Sequence, residues 1–171
     1  MFTFQFNAMN PNIRDILWKQ FGAAIDMLEN AITMCPDRLW DNEGRFWYNA
    51  YHCLFYLDYY LTLEPENFSP PAPFTLSEFD ASGALPERTY SKEELLSYLA
   101  ASRSKCREVI SVLNAELAEQ RWVNPYRNYP VFELILYNLR HVQHHAAQLN
   151  LLLRQGMNDA PRWVSRAGSD L

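Results

Sequence analysis

The sequence predicts an all-α fold, a four-helix bundle with one long crossover loop between its second and third helices. Three observations carry that prediction. Four segments repeat apolar residues at steps of three and four, the period of a helix with one buried face. Each is bounded by a cap or a breaker. Between the second and third of them, residues 65–90 hold Pro65, Pro70, Pro71, Pro73 and Pro86, and no period survives. A connection of that length lets its flanking helices run parallel, where a short turn would force them antiparallel. Loops so long are uncommon in compact domains and often functional.

The first helix is expected from about Ile13 to Met34. Asn10-Pro11-Asn12 offers a cap with proline in the first turn, and Cys35-Pro36-Asp37 is the stop. Its inward face reads Ile16, Leu17, Phe21, Ala24, Leu28, Ala31 and Ile32. Leu39 to Gly44 reads as a connector with room for one turn. The second helix is expected over Phe46–Leu63, where Trp47, Tyr51, Leu54, Phe55, Asp58 and Leu61 keep helical spacing until Pro65. The third opens on Ser91-Lys-Glu-Glu94, a capping box in which serine hydroxyl and glutamate serve each other's backbone donors. It runs to about Leu117, with Leu95, Leu99, Ser102, Cys106, Val109, Ile110 and Leu113 inward. Trp122–Asn128 reads as a connector. Tyr129-Pro130 leads into the fourth helix, which Gly156 is expected to cap. The tail, residues 157–171, is expected to lie extended over the bundle or to be partly disordered.

Composition bounds the function. One domain, residues 1–171, is long enough to bury a sizeable core, and 49% hydrophobic with 20% charged residues is an ordinary globular balance. Aromatic residues, at 15%, suit bulky helix packing or a cleft with polar handles on its walls. A net charge of −5 without a dense basic run speaks against nucleic acid. Cys35, Cys53 and Cys106 form no CxxC pair and read as reduced thiols of a cytoplasmic protein. No signal peptide is expected from Met1–Asn7, and no apolar run approaches the roughly 18 residues of a membrane span.

The fourth helix carries the anomaly. Read helically, Leu134, Asn138, His141, His145, Gln148 and Leu152 share one stripe, where an amphipathic helix normally holds only apolar residues. Burying these polar groups costs free energy unless each finds a partner. His141 and His145 are one turn apart, rotated by only about 40°, a relation in which two imidazoles can bind one ion. The segment is not HExxH, because Val142 takes the glutamate position. The fourth histidine of the chain, His52, sits mid-way along the second helix, and a bundle can bring two such stripes together across its core. His52, His141 and His145 would form a three-histidine site with a position left open, as catalytic metal sites have. The plainer reading is that these are hydrogen-bonded core histidines, and a His141–His144 pair is the second geometry. His144 otherwise faces outward or supports the ligands. Asn138 and Gln148 could orient imidazole N–H groups or a substrate, or be core amides satisfied locally. Tyr48, Tyr56 and Tyr59 could line a cleft or simply pack. No Ser-His-Asp order, phosphate-cradling glycine loop or carboxylate pair stands out, and the absence of Glu-x-x-His on two helices disfavours a di-iron bundle.

Trp47-Tyr-Asn-Ala-Tyr-His52 resembles the first metal-histidine segment of the DinB-like superfamily, which includes YfiT-like putative metalloenzymes. His141-Val-Gln-His-His-Ala-Ala-Gln148 resembles its second, where two histidines at this spacing precede a glutamine. Leu152-Leu-Arg-Gln-Gly156 and Pro161-Arg-Trp163 are similar too. Ala146-Ala147 stands where relatives often carry Arg-Gly, so a polar contact beside the ligands is not carried over. The resemblance implies a DinB-like four-helix bundle, a three-histidine divalent metal site and a homodimer. It further implies a metal-dependent enzyme, first a thiol S-transferase acting with a low-molecular-weight thiol on a small-molecule substrate. A metal-dependent hydrolase using metal-bound water is the alternative, and a non-enzymatic metal-binding bundle is a third. Imidazole ligands suit zinc or nickel, with copper and iron also compatible.

Overall fold

The computed structural model describes residues 11–171. The aromatic lead and the Asn10 cap fall outside them. Four long helices dominate: α1 (Pro11–Met34), α3 (Phe46–Tyr60), α4 (Lys92–Val112) and α6 (Val131–Met157). The short α2 (Asp37–Trp40) and α5 (Ala115–Glu119), single-turn 3-10 helices at Pro65–Asn67 and Ser77–Phe79, and the strands β1 (Arg121–Asn124) and β2 (Arg127–Pro130) complete the order. The fold is all-α, and its small hairpin does not alter that class.

Contacts fix the helix directions. Trp47 meets Tyr90 just before α4, and further along both helices Asp58 meets Tyr98 and Lys105, so α3 and α4 run parallel. The long crossover over residues 65–90 makes that possible, as its length predicts. Arg103 reaches Asp26 and Glu29, whereas Arg14 reaches the Ser111 carbonyl, so α1 and α4 are antiparallel. Asn49 meets His145 while Tyr60 meets Tyr137, so α3 and α6 are antiparallel. Each long helix packs on two others, in the cyclic order α1, α6, α3, α4.

The core is where the apolar stripes place it. Leu17, Phe21, Ala24, Leu28, Ala31 and Ile32 of α1 are buried, but Ile16 is exposed: it lies one position off the stripe's centre, outside both neighbours' reach. The inward sets expected on α3 and α4 are buried throughout. One buried polar group is tied off within the core. Asp58 accepts from the Tyr98 hydroxyl at 3.0 Å and from Lys105 Nζ at 2.6 Å, which also reaches Thr62 Oγ1.

Several boundaries differ from expectation, each for a local reason. α3 stops at Tyr60 rather than Leu63. The third long helix does not reach Leu117, because Leu113 is extended and Asn114 starts a new helix by accepting from Leu117 N at 2.9 Å. An asparagine carbonyl caps better than it sits in a helix interior. Residues 121–130 are no plain connector. They form an antiparallel hairpin with Asn124 opposite Arg127, and buried Trp122 is anchored through Nε1 to the Thr62 carbonyl. Gly156 does not cap α6; the helix passes through it to Met157, and Asn158 takes the left-handed position at φ 58°. Glycine at 156 makes room for Leu39, whose Cδ1 would stand 2.6 Å from a Cβ there. The tail is docked. Ala167 N donates to the Lys19 carbonyl and Trp18 Nε1 to the Ser169 carbonyl.

Candidate metal centre

The facing stripes of α3 and α6 build the site. On α3, Asn49, His52, Tyr56 and Tyr60 follow one another at steps of three and four, so they share a face. On α6, Tyr137, His141 and His145 do the same. Because the helices are antiparallel, Tyr60 stands against Tyr137, His52 against the histidine pair, and Asn49 against His145. Ring centroids lie 4.9 Å apart for His52–His145, 5.7 Å for His52–His141 and 4.5 Å for His141–His145. One ligand nitrogen from each ring falls within 4.8 Å of the other two, a group that could hold a metal ion.

Hydrogen bonds fix which nitrogens are free. His52 Nδ1 lies 2.6 Å from Glu78 Oε2, and His145 Nδ1 lies 3.0 Å from Asn49 Oδ1. Both partners present acceptor oxygens, which places a proton on Nδ1 and leaves Nε2 of each ring as the nitrogen that could ligate a metal. This is the outer support that metal-ligating histidines usually have, with the carboxylate raising the basicity of its ring. Among the described residues His141 has no such partner, and its Nδ1 is buried without one. A metal ion held by the three histidines would give this ring a polar contact.

The electrostatics agree with a ligand role. Burial, helped by the neighbouring His145 and His52, pushes His141 down to about 3. Burial and then His52 push His145 down to about 4, opposed slightly by the Gln148 amide. Both rings are therefore neutral at pH 7, the state in which imidazole binds a metal. The three histidines line a cavity of about 220 Å³ with Tyr56, Tyr60, Tyr137 and Arg127. It adjoins a second of about 430 Å³ beneath the hairpin and the Glu78–Ala81 segment, and the two share Tyr56 and Arg127.

The supporting residues read from sequence divide. Tyr56 does line the cleft, its ring 4.8 Å from His52 and its hydroxyl donating to the Glu78 carbonyl at 3.2 Å. Tyr48 flanks His52 at 6.4 Å between ring centroids, and burial beside the Glu78 charge pushes its phenol up to about 12. Tyr59 lines the larger cavity. Gln148 keeps a buried Oε1 without a partner, next to His145. Asn138 does not reach the histidines; its amide donates to the Leu57 carbonyl at 3.0 Å and ties α6 to α3. His144 is exposed on the outer side of α6, lining a shallow groove with Arg140 and Gln143.

Three neighbours of the site escaped the sequence reading. Glu78 belongs to the crossover loop, whose length marks it as functional without singling out a residue. Asn49 was within reach, because it precedes His52 by three positions on the same face. Arg127 belongs to the hairpin, whose sequence reads as a connector.

Comparison with curated proteins and with solved structures gives no match. The sequence pattern of the DinB superfamily, in contrast, matches residues 20–149. That span covers most of the bundle and all three clustered histidines, and the chain belongs to the DinB superfamily.

Proposed function

We propose that this protein is a metal-dependent enzyme that activates a low-molecular-weight thiol at a divalent ion held by His52, His141 and His145. The observation that carries the reading is the convergence of three imidazoles, two of them held through Nδ1 by acceptor oxygens, on one cavity. Three protein ligands leave a position open, which is the catalytic rather than the structural arrangement. A divalent ion bound there lowers the pKa of a thiol at its open position, so that thiolate is available at neutral pH.

The chain's own residues supply the rest. Glu78 and Asn49 hold two rings in their ligating tautomers. Tyr56, Tyr60 and Tyr137 wall the cavity with phenol rings, which exclude water and accept an apolar electrophile. No carboxylate lines the small cavity among the described residues, and Glu78 is spent on His52. A site without a free general base favours a nucleophile that ionises easily. A thiol, with a pKa of about 8.5, meets that condition far better than water. Imidazole ligands suit zinc or nickel.

The test starts from protein purified without a histidine tag. Wild type is expected to contain one equivalent of metal, and His52→Ala, His141→Ala and His145→Ala to lose it. Thiol consumption is then followed with several low-molecular-weight thiols and an activated electrophile, alongside hydrolysis of an activated ester. Metal-dependent thiol consumption that disappears in His141→Ala supports the proposal. Ester hydrolysis without thiol consumption refutes the thiol half, and wild type without stoichiometric metal refutes the whole.

A further inference from the structure

Arg127 is held with unusual care for a hairpin residue. Asn124 Oδ1 accepts from the backbone N–H of both Tyr126 and Arg127, at 2.9 and 2.7 Å, which fixes the two-residue turn. Asn124 Nδ2 in turn donates to the Tyr59 hydroxyl at 3.1 Å, so the turn is fastened to α3. The guanidinium carbon lies 5.5 Å from the Tyr60 ring centroid and 5.1 Å from that of Tyr137. Nη2 donates to the Tyr137 hydroxyl at 2.9 Å.

What this half-buried cation lacks, among the described residues, is an anion. Arg103 and Lys105, also half-buried, pair with Asp26 and Glu29 and with Asp58. None of the ion pairs among the described residues includes Arg127. A guanidinium has five N–H donors, and one is used on Tyr137. Its place is the wall shared by the histidine cavity and the larger neighbouring cavity. Set against the Tyr60 and Tyr137 rings and bonded to the Tyr137 hydroxyl, the fork is preorganised, and a planar carboxylate matches it with two parallel hydrogen bonds.

We propose that Arg127 binds the carboxylate of a small-molecule ligand whose apolar or aromatic body occupies the phenol-walled space beside the three histidines. The larger cavity is also lined by Glu78 and Asp80, so its field opposes a doubly charged phosphate monoester more than a singly charged carboxylate. Tyr59 and Phe79 on the same wall take the apolar body. Such a molecule reaches the histidine cavity without leaving Arg127. Its role as a substrate rests on the metal reading above; its capture by Arg127 does not.

The test uses wild type, Arg127→Gln and Arg127→Lys, each zinc-loaded and chelator-treated. Dissociation constants come from saturation-transfer NMR titrations of 3-phenylpropanoate, 3-phenylpropan-1-ol and phenyl phosphate. Circular dichroism monitors folding, and the Lys variant preserves charge should the Gln variant fold poorly. The carboxylate is expected to bind about tenfold more weakly to the Gln variant and less weakened in the Lys variant, with or without zinc. The alcohol is expected to be unaffected. Equal carboxylate affinity in wild type and Arg127→Gln, with only a lowered Tm, overturns the inference and makes Arg127 a structural pin. Affinity that depends on zinc but not on Arg127 also overturns it, while the metal reading survives. Protein that takes up no zinc on loading, yet binds the carboxylate through Arg127, overturns the metal reading alone. Tighter binding of phenyl phosphate than of 3-phenylpropanoate overturns the carboxylate class.

Discussion

Glu78 offers the sharpest test of how the histidine cluster is built. Its side chain is 5% exposed, whereas that of His52 is 31% exposed, so the carboxylate lies beneath the ring it supports. The Nδ1–Oε2 distance is 2.6 Å, that of a strong charge-assisted contact. Glu78→Gln keeps the shape and an acceptor oxygen but removes the charge; Glu78→Ala removes both. Loss of an outer partner of a metal-bound histidine typically weakens metal affinity by about 10–100-fold, which is about 1.4–2.8 kcal/mol. His52 is one ligand of three, so the Gln variant is expected near the lower end and the Ala variant toward the upper. Competition for zinc with a chromophoric chelator at pH 7.5 measures both. Cobalt absorption reports whether a weakened site keeps its coordination geometry. Wild-type affinity in Glu78→Ala would refute the reasoning, because the 2.6 Å contact would then be incidental to ligation. A collapse of affinity together with loss of helical content would refute it differently, making Glu78 a folding residue.

Two further outcomes follow from the same structure. In the metal-free protein His141 and His145 are pushed down to about 3 and about 4, against about 6.5 in an unfolded chain. The unfolded state therefore binds protons first as pH falls, so stability is fully present above about pH 6.5 and declines toward pH 4. Urea midpoints measured between pH 7 and 4.5 should fall in wild type more steeply than in a His141→Asn/His145→Asn variant; equal slopes would rule the histidines out as the cause. At the other side of the bundle, a Cβ at Gly22 would stand 2.6 Å from Ala167 Cβ, where the tail crosses α1. Gly22→Ala should displace the tail at an overpacking cost of about 1–3 kcal/mol, partly offset by about 1 kcal/mol of helix propensity. Hydrogen exchange should speed up at the Ala167 amide while zinc affinity holds, and undiminished protection there would show that the tail tolerates the methyl group.

What could be read from sequence follows the range of the forces involved. Helix period is local, so Leu95 through Leu113 and Trp47 through Leu61 announce their buried faces without knowledge of the partner. The polar stripe on α6 is legible for the same reason, since His141 and His145 violate a pattern their neighbours set. His52 could be found because a bundle of known helix count leaves few faces for a lone histidine to meet. Asn138 marks the limit of that logic. It shares the stripe with the histidines, but toward its N-terminal end the stripe turns into the core, where Leu57 O is the nearest acceptor. Local period says which face a residue occupies, not whether that face meets a cavity or a backbone carbonyl.

The charged groups around the site were the least legible, and their origin explains why. Glu78 and Arg127 come from the crossover loop and the hairpin, segments without a period, each placed by bonds to distant residues: Tyr51 Oη on Thr75 O for the loop, Asn124 on Tyr59 for the hairpin. The helices of the bundle supply imidazoles and phenols, which tolerate burial as neutral groups. A full charge on those stripes would face its neighbours during folding without a partner. Carrying the charges on the two irregular segments separates the tasks. The helices pack around rings, and the loop and hairpin bring one anion to His52 and one cation to the cavity wall.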